Sequence, residues 1–400
     1  MTIAVGIDVA KEVHWVTAID EDGGTLLDRR VENEPAELDH LLAELRAFDR
    51  PRRIGVDLLG GVATLLCATL LDAGETLVHV PGLAVNRARE GTVGGQSKSD
   101  PRDARVIADQ VRTRTDLRTV ELEAPALVRL RLLVAHRRDL VTEQTRRLAR
   151  LHELLTSIHP GLERRLDLTI RAALELVRRY ASPTELRAAG LATVRRQLRT
   201  VTKRSLADRL AEEALAAAAG QRLAVPGEEH IAAMCHVLAG EALEARTRID
   251  ALEAELAEAV AQHPQGTLIR SLPGMGVTMT AEFLAEVGSL RRFRSADALA
   301  SAAGLAPVLR QSGRLRFLRR AARGDKVLKR VFYQSAFCSL RHATSRAFYE
   351  RKRSEGKRHH QAVLALARRR VDVLWAMLRD DRAFTLTPEA NAQVLSCAPH

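Results

Sequence analysis

Four aspartates have the type and placement to carry chemistry in this sequence: Asp8, Asp57, Asp100 and Asp103. Asp8 interrupts the run Thr2 to Ala10, which is otherwise apolar on both faces, and a lone carboxylate there costs several kcal/mol unless a cation meets it. Asp57 closes a similar run, Arg53-Ile54-Gly55-Val56. Asp100 and Asp103 flank Pro101 and Arg102 at a helix start, three apart and so on one face, with Cβ atoms about 5–6 Å apart. Each has a plainer account alone: Asp8 as a turn cap before Ala10-Lys11, the other pair as ordinary acids at a helix N-terminus. As a set they are harder to dismiss. Four carboxylates about 4 Å apart repel by about 4 kcal/mol per pair at an effective dielectric near 20, which suits a metal site better than a structural device. Two divalent ions about 3.5–4 Å apart clamp the attacking and leaving oxygens of a phosphodiester displacement. Oxygen donors without a His/Cys cluster favour Mg²⁺ or Mn²⁺ over zinc.

The elements that must position these groups can be read from spacing. The first strand, His14–Ile19 and Thr25–Asp28 are separated by turn residues and predict an antiparallel meander. Pro35 opens a helix with Leu38, Leu41, Leu42 and Leu45 on one face; strands follow at Arg53–Asp57 and Thr76–Val80, with a helix after Gly60-Gly61 between them. This order resembles an RNase H-like α/β fold, which implies that the first and fourth strands are neighbours and Asp8 lies beside Asp57. Gly91 to Gln96 reads as a flexible stretch before the helix of Asp100 and Asp103.

The remaining chain is helical and basic. Apolar residues recur at three and four from Leu127 to Ile158, interrupted at Arg137 and Gln144, and again from Ala242 to Ala259. These coiled-coil-like seams could pair with each other or across a dimer. Residues 161–237 between them form an Arg- and Ala-rich helical insert, either a nucleic-acid surface or a solvated basic face. Leu272-Pro273-Gly274-Met275-Gly276 has the form of a helix-hairpin-helix turn, where Gly274 and Gly276 would let backbone N–H groups approach phosphate, although such turns are often only turns. Arg310-Gln311-Ser312-Gly313-Arg314 follows, amid Arg316, Arg319, Arg320 and further cations, the strongest phosphate-binding stretch of the chain. The net charge of +12 also favours a polyanionic partner. No apolar run approaches the roughly 18 residues of a membrane span. The N-terminus enters a strand with no leader pattern, and the four scattered cysteines fit a reduced cytosolic protein.

The segments GIDVAK, VDLLGG, SKSDPRDARVIADQ, SLPGMG and GLAPVLRQSG…RRAARGDKVLKR together resemble the DEDD-type transposases of bacterial insertion sequences. The resemblance implies a RuvC-like catalytic domain at 1–120, a helical and coiled-coil region at 121–262 with the insert 161–237, and a mainly α-helical transposase domain at 263–387 with a flexible tail at 388–400. It further implies a DNA recombinase guided by an element-encoded structured RNA. By that analogy Asp8, Asp57, Asp100 and Asp103 hold two Mg²⁺ or Mn²⁺ ions, and Ser312 is a nucleophile that bonds transiently to DNA phosphate. Lys98, Gly274, Gly276, Arg310, Arg314, Arg316, Arg319 and Arg320 are the expected nucleic-acid contacts. The family commonly has Glu at the second carboxylate position, where this chain has the shorter Asp57. A homodimer or homotetramer in the cytoplasm, associated with the nucleoid, is expected, with a composite site drawing on both end domains. Two rivals are an actin-like ATPase or sugar kinase, suggested by GID on the first strand, and a nucleic-acid binder whose site has decayed.

Overall fold

The computed structural model describes residues 2–91, 97–121, 123–313, 315–319, 321 and 323–385, without the side chains of Arg310 and Leu318. The tail expected at 388–400 lies outside the described residues. The chain divides into two compact units, Met1–Ala124 and Pro125–His400.

The first unit is built on a six-stranded sheet: β1 (Ile3–Asp8), β2 (Val13–Ile19), β3 (Thr25–Glu32), β4 (Arg52–Val56), β5 (Thr76–His79) and β6 (Arg118–Thr119), in the order β3-β2-β1-β4-β5-β6. The meander β1–β3 is antiparallel, β4 and β5 join β1 in parallel, and the short β6, which the spacing did not announce, pairs antiparallel with β5. Alternation along each strand decides what faces where. Ile3, Val5 and Ile7 of β1, with Ile54 and Val56 of β4, pack against the leucines of α1 (Pro35–Ala47) and α2 (Thr64–Asp72). The opposite row places Ala4 and Gly6 of β1 and Gly55 of β4 under α4 (Asp100–Thr113), with α3 (Gly82–Glu90) beside it. Gly6 and Gly55 are register partners. A Cβ on Gly6 would stand 2.1 Å from the Ala104 carbonyl oxygen and 2.3 Å from the Ala108 nitrogen, so α4 seats directly on the strand backbone.

The second unit is dominated by two long helices, α5 (Pro125–Ile158) and, after α6 (Pro160–Glu163), α7 (Arg171–Val177), α8 (Pro183–Leu198) and α9 (Arg204–Gly220), α10 (Glu228–Gln262). The two seams meet each other within the chain. Arg137 donates to Glu253 at 2.9 Å, Gln144 to the Ala242 carbonyl at 3.1 Å and Arg147 to Glu241 at 3.1 Å, a descending match that makes the pair antiparallel. The residues that break the apolar period are thus the ones bonded across it. At one end of the pair the insert helices close a core with Leu151, Leu155, Cys235 and Ala239. At the other, Leu130, Leu256 and Val260 join the core of α11 (Gly266–Arg270), α12 (Val277–Val287), α13 (Ala296–Ala302), α14 (Lys326–Ser339), α15 (Ala343–Ser354) and α16 (His359–Asp380).

The expectation of a mainly helical C-terminal region needs one amendment. Strands β7 (Val308–Ser312) and β8 (Leu315–Arg319) form a two-stranded antiparallel ribbon. Its register pairs Ser312 with Leu315 across a turn in which Gly313 has φ +55°.

Candidate active site

Asp8 ends β1 and Asp57 comes immediately after β4. The pairing Ile7 with Val56 puts the two side by side, and the alternation that aims Gly6 and Gly55 at α4 aims both carboxylates the same way. The backbone N–H of Val9 donates to Asp57 Oδ1 at 3.4 Å, and His79 Nε2 lies 3.2 Å from the Asp57 carbonyl oxygen. Helix α4 starts at Ser99, with Asp100 and Asp103 in its first turn. Asp100 is exposed, whereas Asp103 is buried at 4% exposure beneath the helix.

The electrostatics tie the four together. Burial, then the negative charges of Asp57, Asp103 and Asp100, push the Asp8 carboxyl up to about 7, with Lys98 pulling the other way. Asp57 is also raised, chiefly by burial, against the Val9 hydrogen bond and the nearby His79. A half-buried acid ringed by acids is poised for a cation. The donor set is all carboxylate oxygen and fits a hard divalent ion in its chemistry. Asp103, however, is engaged: Arg89 Nη1 donates to Oδ1 at 2.7 Å and to Oδ2 at 2.8 Å, and Asn86 accepts from the same guanidinium. Correspondingly, among the described residues no three His, Cys, Asp or Glu side chains stand together as metal ligands.

Arg89, Asn86 and His79 are the site neighbours that sequence reading missed. Arg89 and Asn86 sit on α3, and nothing in the spacing of that helix names the acid cluster as its neighbour.

The other expected site residues lie on several different elements. Lys98 is exposed beside α4. Ser312 ends β7 and is exposed, and Arg316 and Arg319 are exposed on β8. Arg310 lies on β7, its side chain outside the described residues, as are Arg314 and Arg320 entirely. The turn Pro273–Gly276 joins α11 to α12, but Gly274, at φ +83°, uses its freedom for packing. A Cβ there would meet the Ser335 carbonyl oxygen at 2.4 Å, and the Pro273 carbonyl accepts from the buried Arg370. The backbone approach that this glycine permits is to α14. Gly276, the N-cap of α12, is exposed with open space around it.

With that geometry in view, comparison with known proteins is decisive. A DEDD transposase family matches residues 5–160, and the transposase IS116/IS110/IS902 family matches residues 266–350. The IS116 insertion-element protein of Streptomyces clavuligerus is 41% identical over 391 residues, 96% of this chain and 97% of that one. The chain belongs to the IS116/IS110/IS902 transposases. The IS900 protein of Mycobacterium paratuberculosis is 42% identical, covering 95% of this chain and 96% of its own, and the IS110 protein of Streptomyces coelicolor 36%, covering 94% of each. Among solved structures, T. thermophilus RuvC in complex with Holliday junction substrate aligns over 30% of this chain and all of its own, at 14% identity and a TM-score of 0.24. This IS110-type transposase is thus an enzyme of DNA recombination with a DEDD transposase domain, which sets aside the actin-like kinase reading. Among the described residues no helix is long and apolar enough to cross a membrane.

Proposed function

We propose that the transposase cuts and rejoins DNA strands using divalent metal held by Asp8, Asp57, Asp100 and Asp103, with Ser312 as a nucleophile, and that a structured RNA encoded by the element guides it. The observation that carries the metal reading is the strand pairing that sets Asp57 beside Asp8, with Asp103 and Asp100 of α4 close enough to help raise the Asp8 carboxyl. Asp57, despite its shorter side chain than the family's common Glu, lies next to Asp8 across paired strands, which supports a retained site over a decayed one. When bound, Mg²⁺ or Mn²⁺ would supply charge stabilisation at the attacking and leaving oxygens. This chain's own groups then have distinct tasks. Asp8 and Asp57 would hold the ions against the sheet, Asp103 and Asp100 would add carboxylate oxygens from α4, and Arg89, beside Asp103, would serve as a phosphate ligand, a task its planar fork suits.

Ser312 is proposed for the covalent step because it is exposed on an arginine-bearing ribbon, where its Oγ can reach a backbone phosphate. Its Oγ forms a P–O bond while the DNA 3′ or 5′ oxygen leaves with a proton; rejoining reverses the exchange. Lys98, Gly276, Arg316 and Arg319 are exposed and suited to positioning phosphates, with Arg310, Arg314 and Arg320 assigned the same role. Assembly as a homodimer or homotetramer in the nucleoid-bearing cytoplasm completes the reading.

The test is strand cleavage by the purified protein with its co-purifying nucleic acid, in the presence of Mg²⁺ or a chelator. Cleavage is expected to need metal and to vanish in Asp8→Ala; metal-independent cleavage, or an active Asp8→Ala, overturns the carboxylate reading. Ser312→Ala is expected to abolish the protein–DNA adduct, and normal recombination by that variant removes the serine step. Sequencing the bound nucleic acid decides the RNA guide: recovery of DNA alone refutes it.

A further inference from the structure

Neither the carboxylates nor Ser312 accounts for a cavity of about 860 Å³ in the C-terminal unit, where α14, α16 and the loop Gly304–Pro307 meet. Leu305 in it is buried, while Tyr333, Leu364 and Ala365 are half-buried, an apolar wall that carries the Tyr333 ring, with His360, Gln361, Arg330 and Arg368 on its polar side. Lys326 and Lys329 also line it, and among the described residues no acidic side chain does. An apolar hollow of this size with cationic groups at hand takes a flat, uncharged ring attached to an anionic chain. The loop beneath it leads straight into β7. From Pro307 to Ser312 is five residues of strand, roughly 16 Å at about 3.3 Å per residue, a span of a few nucleotides.

The ribbon between is itself unusual. Leu315 is 70% and Phe317 56% exposed, and the register puts both on the face of Ser312. A two-stranded ribbon exposing such residues in water is marginal by itself, and bases stack readily on exposed aromatic rings. Its arginines, like the cavity's lysines, disfavour a second copy of the same basic surface as the occupant.

We propose that the cavity receives the base of one nucleotide extruded from the DNA strand that lies along β7–β8, with Tyr333 stacked on that base and Lys326 and Lys329 on the flanking phosphates. DNA is the assigned source because the strand entering the cavity is the one that reaches Ser312, and this part rests on the serine reading above. Extrusion unstacks the neighbouring step, which lays the adjoining phosphate open on the ribbon.

The experiment uses the full-length protein and a single-stranded DNA oligonucleotide carrying one 5-iodouracil, irradiated and mapped by mass spectrometry. A cross-link at Tyr333 is expected. Ala365→Phe, which fills the hollow, should abolish it and weaken binding of the same oligonucleotide roughly tenfold, the scale of one lost stacking contact, with the salt dependence unchanged. Tyr333→Ala, which leaves the hollow open, should weaken binding similarly, and it decides the matter if the filled variant fails to fold by circular dichroism. Binding within twofold of wild type by a folded variant, cross-linking mapped elsewhere, or stronger cross-linking of the matching RNA overturns the proposal. Repeating the cross-link in Ser312→Ala separates the two ideas. If that variant still recombines but cross-links at Tyr333, the serine step falls and the base pocket stands; if it cannot recombine and the cross-link is absent from wild type, the reverse holds.

Discussion

Asp8 and Glu185 are both half-buried carboxylates, and their surroundings treat them in opposite ways. Burial raises each. At Asp8 the neighbours add to that penalty, since Asp57, Asp103 and Asp100 are all acids, and the carboxyl rises to about 7. At Glu185 the neighbours outweigh it and the carboxyl falls to about 2. Its Oε2 accepts from the backbone N–H groups of Ala181 (2.8 Å) and Ser182 (3.0 Å), with His236 Nε2 at 3.3 Å, while Ser182 returns a bond to the Glu185 N–H. That capping box at the start of α8 is complete within the chain. The cluster at the ends of the central strands β1 and β4 offers Asp8 no such set of donors among the described residues, and its acids raise Asp8 further. A satisfied acid marks architecture; a frustrated one marks where a ligand is owed.

The sharpest way to break this contrast is Asp8→Asn. DNA strand cleavage is expected to fall on the order of 10³-fold or more, as when one member of a catalytic unit is removed, while the metal-free melting temperature at pH 8 holds or rises because a repulsive charge is gone. A large loss of stability would mean that Asp8 is structural after all. Next in size is the response to metal: Mg²⁺ at about 100 times its Kd should stabilise the first unit of the wild type by about 2.7 kcal/mol and leave Asp8→Asn unmoved, read by hydrogen exchange of β1 and β4 amides. Glu185→Ala should cost the insert about 1–2 kcal/mol, the worth of a lost cap, read by exchange at the first turn of α8, with cleavage of DNA unchanged. Smallest and most diagnostic is pH. Asp8 is raised, so its contribution to metal-free stability is present below about 3.8 and disappears as pH climbs through about 7. Glu185 is depressed, so its contribution is present above 4.5 and disappears as pH drops through about 2. Exchange profiles of the two regions should therefore slope in opposite directions; parallel slopes would erase the distinction.

How far this was legible depends on which interactions are local. The meander follows from turn residues and the two-residue period, while the adjacency of Asp8 and Asp57 came from the resemblance of the element order to an RNase H-like fold. Arg89 was not legible: its role comes from α3 lying against α4, and nothing in Asn86–Glu90 states that neighbour. The antiparallel match of α5 and α10 was open for the same reason, because an apolar period records that a partner exists but not which one. Ribbon β7–β8 went unseen since Arg, Gln, Ser and Gly read as a phosphate-binding stretch with no strand period, although Val308, Leu315 and Phe317 flank them. Gly274 shows a requirement that spacing does not state: the glycine also makes room for a helix.

The paired glycines under α4 set a limit on redesign. Because Gly6 lets the helix backbone rest on the strand backbone and Gly55 makes room for the Val111 and Ile107 side chains of the helix, the separation between strand-borne and helix-borne acids depends on there being no side chain at either strand position. Whoever transplants this quartet of acids to another scaffold must carry the two hydrogen-only positions along with it, or the helix will ride too high for its acids to join the other two.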